Sequence, residues 1–185
     1  MRWPRWCQEN DEAVFCTSIL LLAFAAAVSS CSVRAHPAPS LTPMEMLEGV
    51  EAELIPNAGS ATGYGPDFDE GGYATLIEWN DRLRPEAGWA DDYERLDIRL
   101  PCCGAVRPFA DEERNCGCGH HRALYGAAKH LLDAGYARGA TQAALDRWKA
   151  YFFPRETLLA ELEARSLEDP AYAEAIEALA ERGGC

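Results

Sequence analysis

Apolar residues recur at helical spacing along the second half of the chain. The apolar positions of residues 120–134 fall on one stripe, and Gly135 follows as a stop signal. A second helix is predicted from Thr141 up to Pro154. Its large aromatic residues are predicted to close the core of a helical bundle: Trp148, Phe152 and Phe153. Two further helices are predicted from apolar positions at Leu158, Leu159 and Leu162 and at Tyr172, Ile176 and Leu179.

The first half of the chain contains two more segments of helical pattern. Thr42 is a predicted N-cap, with Pro43 at the first helical position and Glu45 completing a capping box. A loop rich in glycine and proline occupies residues 56–72, and residues 73–83 return to helical periodicity. No segment shows a convincing strand alternation. The pattern therefore predicts a mostly α fold, a small irregular helical bundle with a Cys/His-rich loop.

A largely apolar run lies near the N-terminus. Residues 13–28 carry no charge, and Arg2 and Arg5 precede them. This run is short for a membrane span, which needs about 20 residues, and it has the length and flanks of a secretory signal. We expect residues 1–30 to be a signal peptide, which places the mature protein outside the cytoplasm.

The predicted signal ends in the sequence VSSC, from Val28 to Cys31. This sequence resembles the lipobox of bacterial lipoproteins, which are cut before a cysteine that is then lipidated. The resemblance implies a lipid on Cys31 and a protein anchored to the cell envelope. The alternative is ordinary signal cleavage after Ala35, which would release a secreted or periplasmic protein that begins at His36.

Composition and charge narrow the organisation and function of the rest. Residues 31–42 are rich in proline and serine and are expected to be a tether, and residues 43–185 have the length of a single domain. The net charge of −13, without a basic run, argues against a nucleic-acid partner. The sequence also lacks a G-x-S-x-G elbow and an evident hydrolytic zinc site, so it favours a non-enzymatic role.

Four cysteines and two histidines are concentrated in residues 102–121, although the chain has only four histidines. One pair of cysteines ends an extended or irregular segment, and the other lies in a Gly-rich turn before a predicted helix. The positive end of that helix favours thiolate, and thiolates with imidazoles suit Cu(I) or Zn²⁺. We expect a copper or zinc site whose candidate ligands are Cys102, Cys103, Cys116, Cys118 and His120, with His121 as a reserve ligand or a group behind them.

Two other states of these thiols stay open. Exported cysteines usually oxidise, so the four central cysteines could form two disulfides that brace a structural lipoprotein. Alternatively, Cys116 and Cys118 could exchange disulfides in a thiol redox protein. No thioredoxin-like β-α-β pattern surrounds those two cysteines, which argues against the redox alternative.

The cluster resembles that of exported bacterial lipoproteins known by a PCYCGC motif. Pro101 and Cys102 match the opening of the motif, residues 116–118 match its Cys-Gly-Cys, and Gly119 with His120 matches the Gly-His that follows. The aromatic residue is missing here, and residues 104–115 split the motif. The resemblance implies metal binding rather than an enzymatic activity. We therefore expect a metal chaperone, scavenger or sensor, whose partners are the membrane and another metal-handling protein of the envelope.

Overall fold

The computed structural model of the chain describes residues 41–103 and 117–183. Within these residues it forms seven α-helices and no β-strand, with one isolated bridge between Ala61 and Asp67. The helices are α1 (Pro43–Leu54), α2 (Glu70–Arg82), α3 (Ala90–Glu94), α4 (Gly119–Asp133), α5 (Arg138–Phe152), α6 (Pro154–Ser166) and α7 (Ala171–Glu181). A short 3₁₀ turn, Pro101–Cys103, precedes α4. The predicted mostly α bundle is confirmed.

The first helix begins as its sequence predicts. The Glu45 backbone N–H donates to Thr42 Oγ1 at 3.2 Å, and the Thr42 backbone N–H donates to Glu45 Oε2 at 2.7 Å. This reciprocal pair satisfies backbone donors that the first turn would otherwise leave open. Pro43 occupies the first position, where it loses no helical hydrogen bond.

Two helices begin earlier than their patterns predict. Helix α2 starts at Glu70 because the Asp69 carboxylate accepts the Gly72 N–H at 2.7 Å and caps a first turn that contains two glycines. Helix α5 starts at Arg138, and Thr141 lies inside its first turn, donating from Oγ1 to the Ala137 carbonyl at 3.2 Å. The short α3 was not predicted, because its segment reads only as polar.

Helices α2 and α4 cross so closely that a side chain does not fit between them. A Cβ at Gly126 of α4 would lie 1.8 Å from the Leu76 carbonyl oxygen of α2. Polar contacts flank this crossing: Lys129 Nζ donates to Asn80 Oδ1 at 2.7 Å, and Arg122 Nη2 donates to both carboxylate oxygens of Asp81. The crossing fixes α4, whose first turn contains His120 and directly follows Cys118.

The apolar residues form two buried clusters. The larger one joins α2, α3, α4 and α5 around Trp148, which is fully buried and donates from Nε1 to Tyr64 Oη at 2.7 Å. The smaller one joins α1, α6 and α7 through Leu47, Val50, Leu158, Leu162, Ala175, Ala178 and Leu179. As predicted, Trp148 closes a core, whereas Phe152 and Phe153 pack against its edge and stay partly exposed.

Several predictions fall on residues 1–40, which lie outside the described residues. They are the signal peptide, lipidation at Cys31, cleavage after Ala35 and the tether up to residue 40. Among the helices of residues 41–103 and 117–183, none is long and apolar enough to cross a bilayer.

Candidate metal centre

The structure brings together three of the six candidate ligands. Cys102 comes from the 3₁₀ turn, Cys118 lies directly before α4, and His120 lies in its first turn. One donor atom from each, the two Sγ atoms and a ring nitrogen, lies within 4.8 Å of the others. Donor atoms that share one ion are separated by roughly 3.5 to 4 Å, given metal–ligand distances of about 2.0 to 2.3 Å. Small side-chain rotations would therefore let all three contact one ion.

Two glycines shape the turn that carries Cys118. Gly117 has φ of +61°, a left-handed conformation that residues with a Cβ rarely adopt. Gly119 lies close to α2: a Cβ there would lie 1.8 Å from the Tyr73 hydroxyl oxygen, so the Tyr73 side chain would have to shift. Cys118 itself is the N-cap residue, at the positive end of α4. The Gly-Cys-Gly sequence thus places one thiol tightly against the bundle.

Side chains of α5 hold the segment that leads to Cys102. The Asp97 backbone N–H donates to Gln142 Oε1 at 2.8 Å, and the Asp97 carbonyl accepts from Gln142 Nε2 at 3.0 Å and from Lys149 Nζ at 2.6 Å. Ile98 and Leu100 are buried in the larger core. The extended backbone therefore finds its partners in helix side chains rather than in a sheet, and it arrives at the turn in a fixed position.

Aromatic rings surround the His120 imidazole on one side. The ring centroids of Phe152 and Phe153 lie 4.8 and 5.0 Å from that of His120, and the Tyr73 ring lies at 6.0 Å. These rings come from α2 and from the junction between α5 and α6. Sequence reasoning missed their role, since their spacing indicated only a core face. They restrict the imidazole and keep water from one side of it.

His121 lies behind the three ligands. It is 1% exposed, and its Nδ1 lies 3.5 Å from Cys118 Sγ. The imidazole also forms a hydrogen bond with the Ile98 backbone. His121 is therefore placed to orient the Cys118 thiol, and its role toward a metal stays a prediction.

The surroundings of Cys102, His120 and His121 favour the uncharged forms of these three side chains. Partial burial raises the pKa of the Cys102 thiol, and the neighbouring Cys118 raises it further. Burial lowers the pKa of His120, and burial together with His120 lowers the pKa of His121. A neutral imidazole can bind a metal directly, whereas a metal must displace the thiol proton of Cys102.

A cavity of about 850 Å³ lies beside the site. Its wall includes Pro101, Phe153 and Glu156, which adjoin the ligands: Pro101 precedes Cys102, the Phe153 ring packs on His120, and Glu156 interacts electrostatically with Cys102. Cys102 is the exposed member of the three. The site is therefore open to solvent at the Cys102 thiol.

The structure does not place the other candidate ligands. Cys116 lies outside the described residues, as does the side chain of Cys103. Their roles stay predictions. Among the described residues, Cys102, Cys118 and His120 form the single Cys, His and acid group whose donor atoms could converge on one ion.

The chain was also compared with known proteins. It matches no family model, no curated protein and no solved structure.

Proposed function

We propose that the protein is an extracytoplasmic lipoprotein, tethered to the membrane through Cys31, that binds a soft transition metal. The observation that supports metal binding is the convergence of the Cys102, Cys118 and His120 donor atoms within 4.8 Å. Two thiolates and an imidazole suit copper or zinc. Such a protein would act as a chaperone, scavenger or sensor that exchanges the ion with another metal-handling protein of the envelope.

The open side of the site fits exchange better than permanent storage. Structural zinc sites are usually closed by four protein ligands and exclude solvent. Here the Cys102 thiol is exposed, while Cys118 and His120 are held at the start of α4 and aromatic rings pack on His120. An incoming ligand from a partner could reach the ion next to Cys102 while Cys118 and His120 still hold it.

Metal content of the purified protein tests the proposal. The protein is prepared without oxygen or chelator, and its metal and titratable thiols are counted together. We expect about one equivalent of copper or zinc, which the combined variant Cys102→Ser/Cys118→Ser loses. His120→Ala should weaken binding, whereas His130→Ala, a histidine change on the same helix away from the cluster, should not. Reduced, folded protein that takes up neither ion would refute metal binding.

The membrane anchor needs a separate experiment. Cells that express the full chain are labelled with a radioactive fatty acid, and the protein is recovered from the membrane and soluble fractions. We expect Cys31→Ser to abolish the label and Cys16→Ser to retain it. Unlabelled protein that begins at His36 would instead establish cleavage after Ala35.

A further inference from the structure

We propose that Cys102 and Cys118 also form a thiol–disulfide exchange pair, whose substrates are accessible disulfides. Their Sγ atoms lie within 4.8 Å of each other, and the two side chains interact directly. A disulfide requires a sulfur separation of about 2.05 Å, so the two sulfurs must move closer together to form it. The pair differs from the one that the sequence favoured for redox chemistry, Cys116 with Cys118.

The two sulfurs differ in access. Cys102 is exposed and borders the open side of the site, whereas Cys118 is half-buried against His121. A disulfide on another molecule can therefore reach Cys102 first. Cys118 is held at the start of α4, where it can attack only a sulfur brought to it, such as that of Cys102.

The exchange balances in two steps. The Cys102 thiolate attacks one sulfur of the substrate disulfide, which forms a mixed disulfide and releases the other sulfur as a thiolate. The Cys118 thiolate then attacks Cys102 Sγ, which forms the intramolecular disulfide and releases the second substrate thiolate. Two electrons pass from the protein to the substrate, and the two protons lost by the protein thiols end on the two released thiols. No other reactant is required.

The disulfide would exclude the metal from the site. Both sulfurs that bind the ion as thiolates are consumed when they bond to each other. This consequence rests on the proposed metal function, whereas the exchange reaction itself does not. Oxidation would then release the ion, and bound metal would protect the pair from oxidation.

The experiment uses the reduced, metal-free, full-length protein and two probes, glutathione disulfide and insulin as a protein disulfide. Peptide mass spectrometry should find a link between Cys102 and Cys118 after either probe reacts. The same link should still form in the double variant Cys103→Ser/Cys116→Ser, because neither removed thiol belongs to the pair. Cys118→Ser should trap a mixed disulfide on Cys102, and Cys102→Ser should slow the reaction more than about tenfold. Reaction with only one probe would identify the size of disulfide that the site accepts and would still support the exchange.

Other outcomes separate the two proposals. Links that involve Cys103 or Cys116 instead of this pair would overturn the exchange pair, and so would the absence of any link in protein that binds metal normally. Protein that forms the link but binds no metal when reduced would refute metal binding alone. Far-UV circular dichroism of each variant shows that the helices have formed before its reactivity is compared.

Discussion

His121 Nδ1, in the first turn of α4, lies 3.5 Å from Sγ of Cys118, the residue that caps this helix. The imidazole is almost fully buried, so it has little freedom to turn away from the sulfur. Its hydrogen bond with the Ile98 backbone further restricts the ring. This contact links the helix that bears two ligands to the extended segment that leads to the third.

We expect His121→Ala to weaken metal binding by about 10- to 100-fold, the usual effect of removing a group that orients a ligand. His121→Gln can keep a polar contact with Cys118 and should recover part of the affinity. Competition with a chromophoric chelator measures both variants, and thermal unfolding of the metal-free proteins reports any general loss of stability. If His121→Ala and His121→Gln bound the metal with equal affinity at matched stability, an orienting role of the His121 contact with Cys118 would be contradicted.

The crossing of α2 and α4 offers a sharp test of the fold. Gly126→Ala places a methyl group against the Leu76 carbonyl, where the two backbones meet, so the helices must separate. We expect the free energy of unfolding to fall by about 1 to 3 kcal/mol or more, as for other overpacked sites. Chemical denaturation measures the change.

Gly139→Ala is the matched control for this prediction. Gly139 also lies in a helix, but a Cβ there meets no atom within 4 Å. Alanine should leave stability unchanged or raise it by up to about 1 kcal/mol. A similar loss in both variants would show that the close crossing of α2 and α4 is not what destabilises Gly126→Ala.

The two hydrogen bonds between the Gln142 side chain and the Asp97 backbone connect α5 to the segment that leads to Cys102. Gln142→Ala removes both hydrogen bonds, so we expect about 1 to 2 kcal/mol of lost stability and weaker metal binding, because Cys102 follows the loosened segment. Arg138→Ala is the control on the same helix as Gln142. It removes an exposed ion pair with Asp92 of α3 and should change stability by at most about 1 kcal/mol. Unaltered metal affinity in Gln142→Ala would show that Cys102 keeps its position without these two hydrogen bonds.

The sequence predicted the helices best where local chemistry decides them. The capping box at Thr42 and the apolar stripe of α4 both appear in the structure as the pattern indicated. The start of α2 was missed because glycines 71 and 72 suggest a loop, and the Asp69 cap that offsets them is a single side chain. A sequence pattern reflects residue types alone. It therefore cannot show that a single hydrogen bond, here from the Gly72 N–H to Asp69, outweighs the tendency of glycine to form loops.

The candidate site was predictable in its residues but not in its geometry. The density of Cys and His identified Cys102, Cys118 and His120 as candidates. Their approach across the intervening chain depends on long-range contacts, such as that of Gln142 with Asp97, which no spacing reveals. The aromatic rings beside His120 were likewise predicted only as core residues. Phe152 and Phe153 in fact pack both against the larger core and against the His120 ring.

His130 provides a pH-dependence that can be tested away from the metal ligands. Its ring stacks on Trp79 with centroids 3.6 Å apart, and burial is the main cause that lowers its pKa. Nearby Asp133 and a hydrogen bond with the Tyr64 backbone act in the opposite direction, and Arg82 reinforces the lowering. Because the unfolded chain binds the proton more readily, this group stabilises the fold above its ordinary pKa of about 6.5. That contribution is lost as the pH falls from there through the lower folded-state pKa.

We therefore expect His130→Phe to reduce the fall in stability between pH 7 and pH 5. Phenylalanine keeps a ring against Trp79 but cannot titrate, so the variant isolates the proton from the packing. The variant removes the whole titration of His130, including the part to which the hydrogen bond with the Tyr64 backbone contributes. Denaturation of metal-free protein at several pH values gives that slope. A variant as pH-sensitive as the wild type would show that His130 has the same pKa in the folded and unfolded chains.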